Sequence, residues 1–437
     1  MNVTVIGCGY LGATHAASMA ELGYDVLGVE IDPAKREALA SGKVPFYEPG
    51  LADLLATHVA SGRLRFTDSL AEAGAFGDIH FVCVGTPQRH DGLAADVRHV
   101  EAAVEGLAPH LTDGALVVGK STVPVGTAAR MAARLAELAP DVDAELAWNP
   151  EFLREGFAVE DTLRPDRLVF GVASERAEAA LRKFYAPVTA TGTPVVVTGL
   201  ATAELVKVSA NAFLATKISF INAVAEVCEA AGADVVDLAD AIGHDERIGR
   251  KFLNAGVGFG GGCLPKDVRA FLSRAGELGV EDTMSFLRQV DDINLRQRTR
   301  VVQIATTMLG GNVARSRIAI WGAAFKPDSD DVRDSPALSI AGQLQLRGAI
   351  VSVFDPQANE TARALFPTLD YAPTALSAAR DADLLLHLTE WPEFREVDLG
   401  VLGDAVRSRQ VIDGRNKLDA EAWRAAGWTV RGLGRAA

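Results

Sequence analysis

A β-branched run, Val3-Thr4-Val5-Ile6, leads directly into Gly7-Cys8-Gly9-Tyr10-Leu11-Gly12 and then into an Ala-rich stretch with no helix breaker before Gly23. A strand, a glycine turn and a helix in that order constrain the fold more than any other part of the chain. Three glycines at this spacing allow the tight turn and the close approach of a pyrophosphate, whose charge meets the helix N-terminus. The next β-branched run, Asp25 to Val29, is closed by Glu30, 18 residues after Gly12. A carboxylate there can accept both hydroxyls of a ribose and would repel a 2′-phosphate, so the expected ligand is NAD rather than NADP. Lys35 lies close enough in sequence to assist either one.

The alternation continues. Further strands are expected at Ile79-Val84, Ala115-Lys120, Glu145-Trp148, Arg167-Gly171 and Val195-Thr198, separated by amphipathic Ala-rich stretches as in a doubly wound parallel sheet. From Leu200 the texture changes to a helical pattern without Pro or Gly until Gly232, with apolar or small residues at 205, 208, 212, 215, 218, 221, 225 and 228. Helices are expected to about Leu309, where Gly310-Gly311-Asn312 breaks the pattern. Alternation then resumes with strands at Arg317-Trp321, Ile350-Phe354, Leu384-Leu388, Gln410-Ile412 and Thr429-Arg431 and a helix at Ala337-Arg347. The expected fold class is α/β: two Rossmann-like doubly wound parallel-sheet domains, 1–199 and 310–437, joined by a long central helix and a helical domain, 200–309.

With 437 residues and a hydrophobic fraction of 49%, the chain can bury several cores. No apolar run reads as membrane-spanning and Met1 leads straight into a strand, so a cytoplasmic protein is expected, with no membrane partner. The formal net charge of −14 argues against a nucleic-acid partner, which would need a concentrated basic face. Cysteines at 8, 83, 228 and 263 have neither Cys-x-x-Cys nor His spacing, so neither a disulfide framework nor a metal site is expected.

Cys263 stands apart from the other three. It lies in Gly258-Phe259-Gly260-Gly261-Gly262-Cys263-Leu264-Pro265-Lys266-Asp267, where glycines permit close approach of a substrate carbon and a lysine favours the thiolate. Such a thiol reads as a nucleophile. Three further loops fall after strands, where ligands bind in such sheets: Gly85-Thr86-Pro87, Ser121 to Thr127, and Asn149 to Gly156. Lys207 and Asn211 share a helix face and pair a positive charge with an amide donor, a combination suited to an oxyanion. In the last third, Gly322 to Pro336 takes the place of a glycine fingerprint but lacks its spacing; Lys326 there and Arg415 in Asp413-Gly414-Arg415-Asn416 can hold phosphates.

Taken together these motifs resemble the nucleotide-sugar dehydrogenase family over essentially the whole chain, in family order, with Tyr47-Glu48-Pro49-Gly50-Leu51 among them. The resemblance implies an N-terminal NAD domain, a central helix used for homodimerisation and a C-terminal domain that binds the nucleotide sugar. It implies a four-electron oxidation of a primary alcohol to a carboxylate with NAD, the favoured substrate being UDP-glucose and the product UDP-glucuronate. Cys263 would capture the aldehyde as a thiohemiacetal, which loses a second hydride to give a thioester. By matched position Lys207 and Asn211 hold the oxyanion, Asp267 positions water or tunes Lys207, and Thr122 and Glu151 support the water, Glu151 being a candidate base. The cofactor positions are Gly7, Gly9, Tyr10, Leu11, Gly12, Glu30, Lys35, Thr86, Thr122, Glu155, Lys266 and Arg333. The sugar-nucleotide positions are Phe152, Leu153, Arg154, Lys207, Asn211, Phe259, Gly260, Lys326 and Arg415, with Arg247 reaching from a neighbouring subunit.

Two departures stand out. Gly262 replaces the serine common before the cysteine, which loosens that loop, and Glu30 stands where Asp is frequent. Within the family the alternatives are GDP-mannose, which Cys263 to Arg269 fits nearly as well, and a UDP-N-acetylhexosamine, disfavoured by the missing histidine before Cys263; Asp245-Glu246-Arg247-Ile248-Gly249 and Asp413-Gly414-Arg415-Asn416 favour UDP-glucose. Outside it stand a two-electron hydroxyacid-type dehydrogenase, which needs no thiol, and a catalytically silent nucleotide-sugar sensor.

Overall fold

In the computed structural model, which describes residues 1–435, the chain forms two compact units. One comprises Met1–Ala210 with Arg269–Gly279; the other comprises Asn211–Val268 and the chain from Val280 onward.

The first unit is built on eight strands: β1 Asn2–Ile6, β2 Asp25–Val29, β3 Leu64–Thr67, β4 Ile79–Val82, β5 Leu116–Gly119, β6 Glu145–Trp148, β7 Leu168–Gly171 and β8 Val195–Thr198. Their order is β3-β2-β1-β4-β5-β6-β7-β8, parallel throughout except where Trp148 of β6 meets Gly171 of β7 antiparallel. β4, β5 and β7 are buried along their whole length, as strands covered by helices on both faces must be. Register places Ile6 beside both Val29 and Val82, so the fingerprint loop leaves β1 where the strand order reverses. Loops after β4, β5 and β6 leave from the same carboxyl edge.

The second unit holds β9 Arg317–Trp321, β10 Ile350–Phe354, β11 Asp370–Tyr371, β12 Leu384–His387, β13 Gln410–Asp413 and β14 Thr429–Gly432, all parallel in the order β11-β10-β9-β12-β13-β14. Strands β3 and β11 are additions to the sequence reading. Both sit at sheet edges: β3 is only partly buried and β11 has two residues, too few to display a period.

The long helix Leu200–Ala231 is continuous, and Val208, Ala212, Ala215, Ile221, Ala225 and Cys228 of the expected stripe are buried. One expectation needs correcting: by length and composition this helix is apolar enough to cross a membrane. Much of it nevertheless faces protein. Buried Ser219 donates to the Val290 carbonyl at 2.7 Å, and buried Asn222 accepts from the Gly256 amide at 2.8 Å, as a core helix carrying polar groups requires.

Candidate active site

Gly7 takes a left-handed conformation, φ 86°, and donates to the Val29 carbonyl at 2.9 Å. A Cβ on Gly12 would lie 1.9 Å from the Gly7 oxygen, so only glycine lets helix and turn close together. A Cβ on Gly9 would meet nothing within 4 Å, and the helix Tyr10–Glu21 starts with no side-chain cap on its first amides. An open glycine edge and uncapped helix amides fit a pyrophosphate. Glu30 receives the Asp32 amide on Oε1 at 2.9 Å and keeps its other oxygen for a ribose. The residues present therefore fit NAD.

Around this edge the expected cofactor residues of the first unit have definite places, whereas Lys266 and Arg333 belong to the second unit. The Tyr10 phenol donates to Glu48, whose carboxylate also accepts the Gly156 and Ala158 amides at 2.7 Å each. Burial, then Glu48, raises the phenol well above its ordinary range. Tyr10 thus braces the fingerprint helix against the Glu155-Gly156 turn, and Glu155 itself is buried. Leu11 packs into the core, while Lys35 is exposed on the helix Pro33–Ala40. Thr86 donates to the Thr122 carbonyl at 2.8 Å, and Ser121 donates to the Val84 carbonyl at 2.7 Å, tying the loops after β4 and β5 together.

Glu151 is held on both oxygens. Oε1 accepts the Phe152 and Leu153 amides at 2.6 and 2.8 Å, and Oε2 lies 3.1 Å from Lys120 Nζ. Lys120 also donates to Asn149 Oδ1 at 3.0 Å and lies 3.4 Å from the Tyr185 hydroxyl. Burial alone would lower the Lys120 ammonium, but Glu151, aided by Tyr185 and Cys83, outweighs it and holds the pKa above its ordinary range. The Tyr185 phenol, pushed up to about 12 chiefly by burial, donates to Asn149 Oδ1 at 2.6 Å. Lys207 Nζ lies 5.5 Å above the Phe152 ring, and Arg167 stacks closer at 3.8 Å. Arg154 is committed to Asp161 at 2.7 Å.

In the second unit the cysteine loop is shaped by what it touches. A Cβ on Gly260 would meet the Asp334 carbonyl at 2.4 Å, one on Gly261 the Phe325 ring at 2.8 Å, and one on Gly262 the Arg333 guanidinium at 2.3 Å. Gly262 is therefore a seat for Arg333. Phe259 is clamped by Asn294, which accepts its amide at 2.7 Å and donates to its carbonyl at 3.0 Å. Cys263 is exposed and immediately precedes the helix Leu264–Glu277; Cys8, Cys83 and Cys228 are buried. Lys266 stands in the first turn of that helix. Burial pushes Cys83 up to about 12 and raises Cys8 well above its ordinary range.

Asp267, 1% exposed, accepts from the Asn211 amide at 2.6 Å and pairs with Lys266 at 2.8 Å. An amide nitrogen carries two N–H groups, so this bond uses one of the two on Asn211. Arg415 donates to the carbonyls of Leu388, Gly258 and Phe325 at 2.7, 3.2 and 2.9 Å, welding the cysteine loop to the β9 and β12 loops. Lys326 lies 5.5 Å over the Phe325 ring. Arg247 is 89% exposed and, among the described residues, pairs with Asp245 at 2.6 Å.

Lys120, Asn149, Tyr185 and Asn294 went unread in the sequence as functional candidates. Asn149 stood inside a recognised loop and Lys120 at the end of the expected strand Ala115-Lys120, where a lysine closing a β-branched run was the available signal. Asn294, on the helix Phe286–Met308, offered none beyond a polar residue on an apolar face.

A doubly wound sheet with an NAD-fitting fingerprint, together with an exposed thiol at a helix N-terminus, defines an NAD-dependent oxidoreductase. Comparison with known proteins narrows the class: residues 1–189 match the NAD binding domain, 201–296 the central domain and 319–420 the UDP binding domain of the UDP-glucose/GDP-mannose dehydrogenase family. The chain belongs to this family. It is 42% identical to a UDP-glucose 6-dehydrogenase of Rhizobium meliloti over 100% of both chains. It is 41% identical to the UDP-glucose 6-dehydrogenase TuaD of Bacillus subtilis over 100% of this chain and 94% of that one. Among solved structures, a UDP-glucose dehydrogenase from the hyperthermophilic archaeon Pyrobaculum islandicum superposes with a TM-score of 0.91 at 39% identity, covering 100% of this chain and 98% of the other.

Proposed function

We propose that this enzyme oxidises the C6 alcohol of UDP-glucose to UDP-glucuronate, with Cys263 as the covalent nucleophile. Bound NAD supplies the hydride acceptor for each of the two oxidations. The first leaves an aldehyde at C6; the Cys263 thiolate adds to it, and Lys207 and Asn211 hold the resulting oxyanion. Loss of the second hydride leaves a thioester. Water oriented by Thr122 and Glu151 then attacks the carbonyl carbon, the C–S bond breaks, the thiolate is restored and a carboxylate departs. A tetrahedral adduct donates hydride where a free aldehyde does not, which is the reason for the thiol. UDP-glucose is favoured over GDP-mannose by Asp245 to Gly249 and by the names of the relatives above.

The observation that carries this reading is the contrast among the four thiols: three are buried and Cys263 alone is exposed, at a helix N-terminus. Cys263→Ser is expected to lower turnover at least about 1000-fold while leaving UDP-glucose binding by calorimetry intact. The wild-type enzyme is expected to release two NADH per sugar. A yield of one, or an active serine variant, would replace this mechanism with a two-electron one.

The same reading includes a homodimer built on the central helix. Phe213, Phe220 and Val227 stand seven residues apart on Leu200–Ala231 and are 65%, 53% and 66% exposed, an apolar stripe suited to a second copy. Light scattering should return twice the 46.1 kDa chain mass. It also places the enzyme in the cytoplasm, where a reducing pool keeps Cys263 a thiol; cell fractionation tests that.

A further inference from the structure

Lys120 ends β5 at the ligand edge of the first sheet, yet its side chain is only 4% exposed. Its ammonium sits within 6.0 Å of the ring centres of Phe81 and Tyr185, surroundings that an apolar side chain would fill without desolvating a charge. Replacing a buried ion pair by apolar groups is often neutral or stabilising, so folding alone gives little reason for a charge here. Its hydrogen-bond partners give a better one. Asn149 and Glu151, both bound to Lys120, belong to the single loop that follows β6. Asn149 is fixed in turn by its own donation to the Val169 carbonyl at 2.9 Å and by the Tyr185 hydroxyl.

An ionised carboxylate offers about four lone-pair directions. On Glu151 the amides of Phe152 and Leu153 and the Lys120 ammonium take three of them. One direction remains, on a side chain that is 16% exposed and therefore reachable by water. Without the ammonium, Oε2 would have no fixed partner and the last direction no fixed aim.

We propose that Lys120 is a positioning residue for thioester hydrolysis, its buried ammonium orienting the Glu151 carboxylate so that the remaining lone pair aims the attacking water. The proposal rests on the Cys263 and Glu151 roles given above. In the step it serves, the water oxygen bonds to the thioester carbon, the C–S bond breaks with its electron pair returning to sulfur, and the water proton leaves along the Glu151 hydrogen bond to solvent. The hydride transfers precede this step and do not use Lys120.

The test is Lys120→Met in the full-length enzyme with UDP-glucose and NAD, followed by stopped flow and by intact mass spectrometry after acid quench. The expected result is a retained NADH burst of nearly two per active site, then a steady-state rate lower by about 100-fold. KM values for both substrates should move by less than about threefold, and a hexuronyl adduct should accumulate on Cys263. Glu151→Gln should reproduce this pattern, and the double variant should be no slower than the slower single one, since both changes disable one device. Burst and steady state slowed equally, or normal turnover in Lys120→Met beside a defective Glu151→Gln, would overturn the Lys120 role alone. Normal turnover in Glu151→Gln would overturn the Glu151 role and the Lys120 role with it. Should Lys120→Met not fold, Tyr185→Phe loosens the same cage with the ring retained; it is expected to raise the burst-to-steady-state ratio several-fold, and an unchanged ratio would count against the proposal.

Discussion

The two sheets of this enzyme share one plan and use it differently. The order β11-β10-β9-β12-β13-β14 repeats the first six positions of β3-β2-β1-β4-β5-β6-β7-β8, and each sheet has an acidic residue directly after its second strand. In the first unit that residue, Glu30, makes one backbone hydrogen bond and leaves an oxygen for a ribose. In the second, Asp355 is 1% exposed and consumed by its own chain. Its Oδ2 accepts the amides of Ala323 and Ala324 and the Trp391 indole at 2.7, 3.0 and 3.1 Å, and its Oδ1 accepts the amides of Gln357 and Ala358 at 3.0 and 2.9 Å. The loop after β9 needs a carboxylate because it lacks the interlocking glycines that shape the loop after β1. The lesson is that strand order alone does not make a dinucleotide site; a free acid and a bare glycine edge do.

This contrast can be broken by experiment, beginning with the largest effect. Asp355→Ala leaves four amides and an indole without their acceptor in a buried place, and should cost at least about 3 kcal/mol in denaturant unfolding while leaving the NAD Kd unchanged. Weakened NAD binding in a folded Asp355→Ala enzyme would mean that the two acids share a function after all. A second difference concerns buried histidines. His387 faces the Asp413 carboxylate at 2.9 Å, whereas His80 meets the Thr4 hydroxyl at 2.8 Å, and burial, outweighing Asp78 and the Gly77 backbone, lowers its pKa to about 4. Below pH 6.5 the unfolded chain takes up a proton that folded His80 refuses until about pH 4. Stability therefore falls as pH drops through that window, by about 2 kcal/mol between pH 7 and 5. His15, lowered by burial and then by Lys120, acts in the same direction. Comparing denaturant midpoints of wild type and His80→Gln at both pH values checks the sign; an equal acid loss in the variant would remove His80 as its source. The smallest effect is at Glu30. Glu30→Gln should weaken NAD about tenfold, roughly 1.4 kcal/mol, with thermal stability nearly unchanged. A large loss of stability with unaltered NAD affinity would make Glu30 a structural acid like Asp355.

What could be read without coordinates follows the range of the interactions. The fingerprint and Glu30 were legible because one strand, one turn and one helix supply nearly all of their geometry within thirty residues. Cys263 could be singled out as a candidate because its glycines and Lys266 are chain neighbours. The reason for Gly262 was only half legible: a flexible turn could be inferred, but Arg333 filling the missing side chain's place could not. Tyr10 was read as a cofactor contact, yet its hydroxyl serves Glu48, 38 residues away. The Lys120 cage was illegible for the same reason, since its partners come from two later segments and each is an ordinary residue by itself.

Local composition determined the alternation of strands and helices and the preference for NAD, and it singled out Cys263 among the four thiols as the candidate nucleophile, because periodicity, turn chemistry and the spacing of charges are properties of neighbours along the chain. Tertiary structure decided which carboxylates remain available and which are spent inside the fold, and so separated Glu30 from Asp355. It also placed a buried lysine against Glu151. Both outcomes depend on hydrogen-bond partners brought together by sheet packing from segments tens of residues apart, where no local pattern records the contact.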